Sequence, residues 1–195
     1  MTSFYNEEEL KALGLKAYGE NVLISRKCSI YGAENISLGS NVRIDDFCVL
    51  SGKITVGSYV HIAVATLLYG GTVGITLEDY TCASSRCAIY AISDDYSGEH
   101  MTNAAVPDRY TGVTAAPVVM EKHSIIGTGC TVFPGVTVAE GCSVGAMSLV
   151  NRSTQPWGIY VGIPARRVKE RSKELLELCA QLEKEDLAKR NGDLL

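Results

Sequence analysis

An aliphatic side chain returns every six residues through most of this chain, and few folds can use that period. Leu38, Ile44, Leu50, Val56, Ile62 and Leu68 follow one another without a miss, and the beat returns at Met120, Ile126, Val132, Val138, Val144 and Val150. A helix repeats near 3.6 residues and a simple strand every two, so neither accounts for the spacing. A flat-sided coil does: one short strand per side, one inward side chain, then a turn. Two residues ahead of each aliphatic runs a second register, Ile36, Val42, Cys48, Ile54, Val60 and Thr66, which extends back through Ile30 and Ile24. Later in the chain this register is mostly small (Val118, Ser124, Cys130, Val136, Cys142, Ser148), as a tightly packed corner requires. Glycine just after the aliphatic, at Gly39, Gly57, Gly127 and Gly145, fits the backbone demands of the turns.

Two irregularities interrupt the beat. Between Leu68 and Leu77 the step lengthens, with Gly70, Gly71 and Gly74 absorbing the extra residues. After Ala83 and Ile89 the repeat stops altogether from 93 to 117, a stretch that opens SDDYSGEHMTN. A loop of that length inside a compact domain is usually functional, and its carboxylates, aromatic residues and histidine point the same way. The ends read as helical. Asn6 is an N-cap for Glu7, Glu8 and Glu9, with Gly14 as the stop. From Val168 to about Arg190 a charged segment carries leucines at 175, 176, 178 and 182, predicting an amphipathic helix against the coil or a neighbouring subunit. The expected organisation is all-β: residues 1–19 a helical segment, 20–167 the coil with its excursion at 93–117, and 168–195 a C-terminal helix.

Composition narrows the function classes. With 195 residues, 46% hydrophobic and 21% charged, this is an ordinary soluble domain. A net charge of −4 and the absence of a Lys/Arg run argue against nucleic acid or an anionic membrane as partner. No apolar stretch is long enough for membrane insertion and the first residues do not resemble a signal peptide, so the expected location is cytoplasmic. None of the seven cysteines forms a CxxC pair, and Cys48, Cys87, Cys130 and Cys142 fall on core-side positions, which suits buried thiols in a reducing compartment. The only histidines are His61, His100 and His123.

Two later strings carry a resemblance. "IGTGCTVFPGVTVAEGCSVGAMSLVNRS" and "VGIPARRVKER", together with the repeat over residues 20 to 170, resemble the hexapeptide-repeat acyltransferases. The order of elements is most similar to the galactoside and maltose acetyltransferases and their relatives in surface-polysaccharide synthesis. The resemblance implies a left-handed parallel β-helix, a homotrimer with active sites between subunits, and acetyl-CoA as donor. The reaction it implies is direct attack by the hydroxyl or amine of a small sugar acceptor in a ternary complex, without a metal. It also implies cofactor contacts at Thr128, Ala146, Asn151, Arg152 and Arg166, with Arg167 or Lys169 assisting and the amide near Thr128 as an oxyanion donor. Met147 stands where the usual pattern has glycine, and Ile125 where it has tryptophan.

The proton acceptor departs from the pattern. The position of the family's histidine falls on Asp94 or Asp95. His61, in "SYVHIAVATLLYG", is the candidate base, alone or with Asp94 or Asp95 of an adjacent subunit. Tyr96, His100 and Asn103 are candidate acceptor contacts. His123 is a pantetheine contact or a plain turn residue, and Trp157 a packing residue or a ligand. The alternatives are a sugar-nucleotide N-acetyltransferase and a non-catalytic hexapeptide-repeat binding protein. A zinc hydratase on the same coil would need three converging histidines, and the spacing here offers no such set.

Overall fold

The six-residue beat becomes three flat faces. A computed structural model, which describes residues 3–191, shows a parallel β-helix of about seven turns. On the first face Leu38 stacks on Val56, Leu77, Met120 and Val138. Ile24, Ile44, Ile62, Ala83, Ile126, Val144 and Tyr160 make the second. Leu50, Leu68, Ile89, Val132 and Val150 make the third. Nearly all of these side chains are fully buried. Each large one contributes roughly 1.5–3 kcal/mol of hydrophobic stabilisation.

The small polar members of the second register bond to carbonyls of the corners. Cys48 Sγ donates to Ala63 O at 3.1 Å, Thr66 Oγ1 to Ser84 O at 2.9 Å, Cys87 Sγ to Gly127 O at 3.1 Å and Cys130 Sγ to Gly145 O at 3.1 Å. Thr66 N–H and Cys130 N–H also donate to the carbonyls of Ala63 and Gly127, at 3.3 and 3.2 Å, so there the thiol adds a second bond to a carbonyl that the turn has paired. Cys48, Cys87, Cys130 and Cys142 are all fully buried, so the reading of them as core thiols holds.

Three expectations are corrected. Gly127 and Gly145 are not needed for a left-handed backbone, which the corners place two residues later at Gly129 and Met147. They are needed for close approach: a Cβ on Gly127 would lie 2.5 Å from Ala146 N on the next turn. Ile24 and Ile30 belong to the inward aliphatic set, opposite Ile44 and Leu50, and not to the second register. A short 3-10 turn, Ala33–Asn35, inserts residues after Gly32 and exchanges the two registers. The C-terminal helix begins at Leu175 rather than at 168. Arg166–Glu170 is a strand that folds back antiparallel on Gly158–Val161.

The chain then turns at Arg171, whose N–H donates to Trp157 O at 2.8 Å and whose Nη1 donates to His123 O at 2.8 Å and Gly141 O at 3.0 Å. That clamp sets the helix Leu175–Asn191 against the corner between the first and second faces; residues 192–195 lie outside the described part. At the other end the helix Glu7–Ala12 forms as expected. Asn6 Oδ1 accepts from Glu9 N–H at 2.9 Å, and Glu9 Oε2 accepts from Asn6 N–H at 2.7 Å.

Candidate active site

The excursion leaves the coil as an antiparallel pair, Ile92–Ser93 against Thr114–Ala115, and is ordered by its own side chains. Asp95 is the centre of that order. Its carboxylate accepts from Ser97 N–H at 2.7 Å, Ser97 Oγ at 3.0 Å and His100 N–H at 2.9 Å, and lies 3.2 Å from His100 Nδ1. The bonds from Ser97, and then those from His100, hold its pKa at about 2. Asp94 Oδ2 accepts from Asn103 N–H at 3.3 Å, and Asn103 Oδ1 accepts from Ala105 N–H at 2.9 Å.

Folded this way, the excursion roofs a cavity of about 640 Å³, a size that suits a small-molecule ligand. Asp94, Tyr96, Asn103 and Asp108 line it from the loop, and Tyr69, Tyr90 and Phe133 from the coil. Tyr69 and Tyr90 occupy equivalent positions at the end of the third face and stack with centroids 5.3 Å apart. Asp95 and His100 are not among the lining residues. His100 is turned toward Asp95 and Gly112 instead.

His61 stands on a different face. It points outward from His61–Ile62 on the second face, between Arg43 below and Cys82 above. Its Nε2 lies 2.8 Å from Asp45 Oδ2, while Asp45 Oδ1 accepts from Arg43 Nε at 2.7 Å. Burial works to raise the pKa of Asp45, but the bonds from Arg43 and His61 outweigh it and hold the carboxyl below its ordinary value. Within one chain, then, His61 does not line the cavity that Asp94 faces.

Thr128 and Ala146 lie on the corner between the second and third faces, Asn151 and Arg152 follow the last third-face strand, and Arg166 and Lys169 lie on the strand that folds back on Gly158–Val161. Thr128 O accepts from Met147 N–H at 2.8 Å, and Thr128 Oγ1 lies 3.3 Å from Ser85 Oγ. Ala146 is exposed on the following turn. Met147 is 68% exposed, with its sulfur over Gly129. Asn151, Arg152, Arg166 and Lys169 are all exposed. Ala165 N–H donates to Leu149 O at 2.8 Å, which brings Arg166 beside the last third-face strand that leads to Asn151. His123 and Trp157 sit on the opposite corner. His123 stacks on Tyr80 at 5.1 Å and leans on the buried Trp157.

Sequence reasoning missed Asp45, Tyr69 and Tyr90. The repeat held a signal for two of them. One turn back from His61 is Arg43, which puts Asp45 at the adjoining corner. Tyr90 lies directly over Tyr69 by the same counting, across the lengthened turn.

No protein-family model matches the chain. It is 46% identical over 179 residues to the dTDP-4-amino-4,6-dideoxy-D-glucose acyltransferase of Escherichia coli, covering 90% of this chain and 93% of that one. It superposes with a TM-score of 0.93 and 49% identity on AntD, an N-acyltransferase from Bacillus cereus, over 95% of this chain and 99% of that one. That AntD structure is an S84C form in complex with dTDP-4-amino-4,6-dideoxyglucose and coenzyme A. More distantly, it is 29% identical over 145 residues to the putative colanic acid biosynthesis acetyltransferase WcaF of Escherichia coli K12, covering 73% of this chain and 71% of that one.

Proposed function

Because this chain belongs to the hexapeptide-repeat acyltransferases, we propose that it transfers an acyl group from coenzyme A to the amine of a nucleotide-linked aminosugar. The observation that carries this is the charge of the cavity under the excursion. Two carboxylates, Asp94 and Asp108, face an aromatic floor, and no Lys or Arg is among the described lining residues. An amine acceptor arrives largely protonated, and both carboxylates and ring faces attract a cation. A sugar hydroxyl can also donate to a carboxylate, but only a cation adds charge attraction to that bond. Of the two acceptors that the family resemblance implies, a hydroxyl or an amine, this cavity favours the amine.

In this reading Asp94, on the cavity wall, holds the amine. His61 is the base and the backbone amide of Thr128 the oxyanion donor. Coenzyme A runs along the Thr128–Ala146 corner, with its phosphates on Arg166, Arg152 and Lys169 and Asn151 beside them. Since His61 and Asp94 lie on different sides of one coil, the complete site forms between subunits of a homotrimer. Acetyl-CoA is the proposed donor, and the cytoplasm, where nucleotide sugars and acyl-CoA are both found, the proposed location.

The test offers the purified protein acetyl-CoA with dTDP-4-amino-4,6-dideoxyglucose or with dTDP-6-deoxyglucose, its 4-hydroxyl counterpart, and follows products by mass spectrometry. Acylation of the amine alone is expected. Equal rates on dTDP-6-deoxyglucose would overturn the amine assignment. A parallel run with 3-hydroxybutyryl-CoA decides the acyl length. Calorimetry on Arg166→Ala should show acyl-CoA binding weakened by about tenfold.

A further inference from the structure

His61 has two ring nitrogens, and the residues beneath it decide which one is basic. Asp45 is the shared acceptor: Oδ1 takes the Nε–H of Arg43 at 2.7 Å, and Oδ2 faces Nε2 of His61 at 2.8 Å. The Asp45 side chain is 18% exposed and that of His61 43%, so the contact sits inside the corner while the far side of the ring meets solvent. An ionised carboxylate only accepts hydrogen bonds, so the nitrogen facing it must carry the hydrogen. The lone pair of the neutral ring then lies on Nδ1. On the other side of His61 stands Cys82, whose thiol burial pushes up in pKa and keeps neutral.

We infer that Asp45, itself fixed by Arg43, is a positioning residue that makes Nδ1 of His61 the nitrogen that takes the acceptor's proton. This rests on the acyl-transfer reading and on His61 as its base. In the step, the ammonium form of the acceptor first gives one proton to solvent; the amine nitrogen then bonds to the thioester carbon and the carbon–sulfur pair leaves on sulfur. The proton shed by nitrogen passes to Nδ1 and from there to the sulfur, releasing coenzyme A as the thiol. Nothing is oxidised or reduced.

The role of Arg43 makes the inference testable beyond simple loss of activity. In Asp45→Asn, Arg43 still requires an acceptor and takes the amide oxygen. The amide NH2 is then turned to His61, Nε2 must accept, and the hydrogen moves to Nδ1. Nitrogen-15 NMR of the imidazole should therefore show Nε2–H in the wild type and Nδ1–H in Asp45→Asn. With acetyl-CoA and the dTDP-linked aminosugar, kcat should fall on the order of a hundredfold while both KM values stay within about twofold. Adding Arg43→Met frees the amide to turn its oxygen to His61, so the double variant should regain the Nε2–H form and much of the lost kcat.

An Asp45→Asn ring that keeps Nε2–H, or one that switches tautomer with kcat unchanged, overturns the inference. So does a double variant no faster than the single one. The tautomer is read without turnover. A wild type that transfers nothing to any amine while its tautomers respond as described would therefore overturn the catalytic role through failure of the acyl-transfer reading, and would be recognised as that.

Discussion

The coil and the excursion are held together in opposite ways. In the coil each strand bonds to the turns before and after it, and the aliphatic ladders run through the whole length. In the excursion the bonds are local and run from side chains to nearby backbone: Asp95 to Ser97 and His100, Asn103 to Ala105. The coil contributes most of the buried apolar surface, whereas most residues of the excursion are exposed. The lesson is a division of labour. A flat parallel face has no pocket of its own, and the segment freed from the repeat supplies one without disturbing the ladders.

The largest effect should come from breaking a ladder. Leu50 is fully buried, stacked between Ile30 and Leu68. Leu50→Ala should cost about 2–5 kcal/mol, because neighbouring turns cannot close the gap. Urea unfolding followed by circular dichroism would measure it, and a loss under about 1 kcal/mol would mean that the coil relaxes more than its register suggests.

Asp95→Ala should do the reverse. The coil does not use this carboxylate, so the melting temperature should stay within about 2 °C. The roof of the cavity loses several charged hydrogen bonds, so the KM for the aminosugar should rise on the order of tenfold with acyl-CoA binding unchanged. The sign of the pH effect follows from the lowered pKa. The ordering by Asp95 is fully present above the ordinary value near 3.8 and is lost as pH falls through about 2. At neutral pH only substitution removes it. A fall in melting temperature like that of the ladder variant would show that the excursion is part of the coil's stability after all.

The same contrast explains what could be read in advance. The coil was legible because its signal is redundant: every turn repeats the inward aliphatic, so a slip at one place cannot hide the period. Ile24 and Ile30 were assigned to the wrong register because the two registers lie two residues apart and an insertion there converts one into the other. The segment at 168–174 reads as helical because five of its seven residues are charged, and a solvent-facing edge strand leaves no alternation to betray it. The excursion was recognisable as a break and a site. Which carboxylate faces the cavity was not, because Asp94 and Asp95 are adjacent and only the turn at Ser97 separates their roles. Asp45 was within reach, since the period itself places Arg43 under His61.

The smallest effect probes a region between these extremes, the corner where the C-terminal helix rests on Tyr80 and His123. Burial, with Lys122 and Arg171 also nearby, pushes the pKa of His123 below its usual 6.5 against the opposing pull of Glu140 and Glu183. The folded chain therefore takes up this proton less readily than the unfolded one. The stack's contribution is complete above pH 6.5 and shrinks as pH falls below it. His123 is partly exposed, so solvent screening limits the change to a fraction of a kcal/mol. His123→Phe keeps an aromatic ring against Tyr80 and removes the titration. Urea unfolding at about pH 7.5 and about pH 5.5 should show the wild type losing slightly more stability than the variant. Equal losses would mean that the corner accepts the charge without penalty, as an open loop would, and would group it with the excursion instead of the coil.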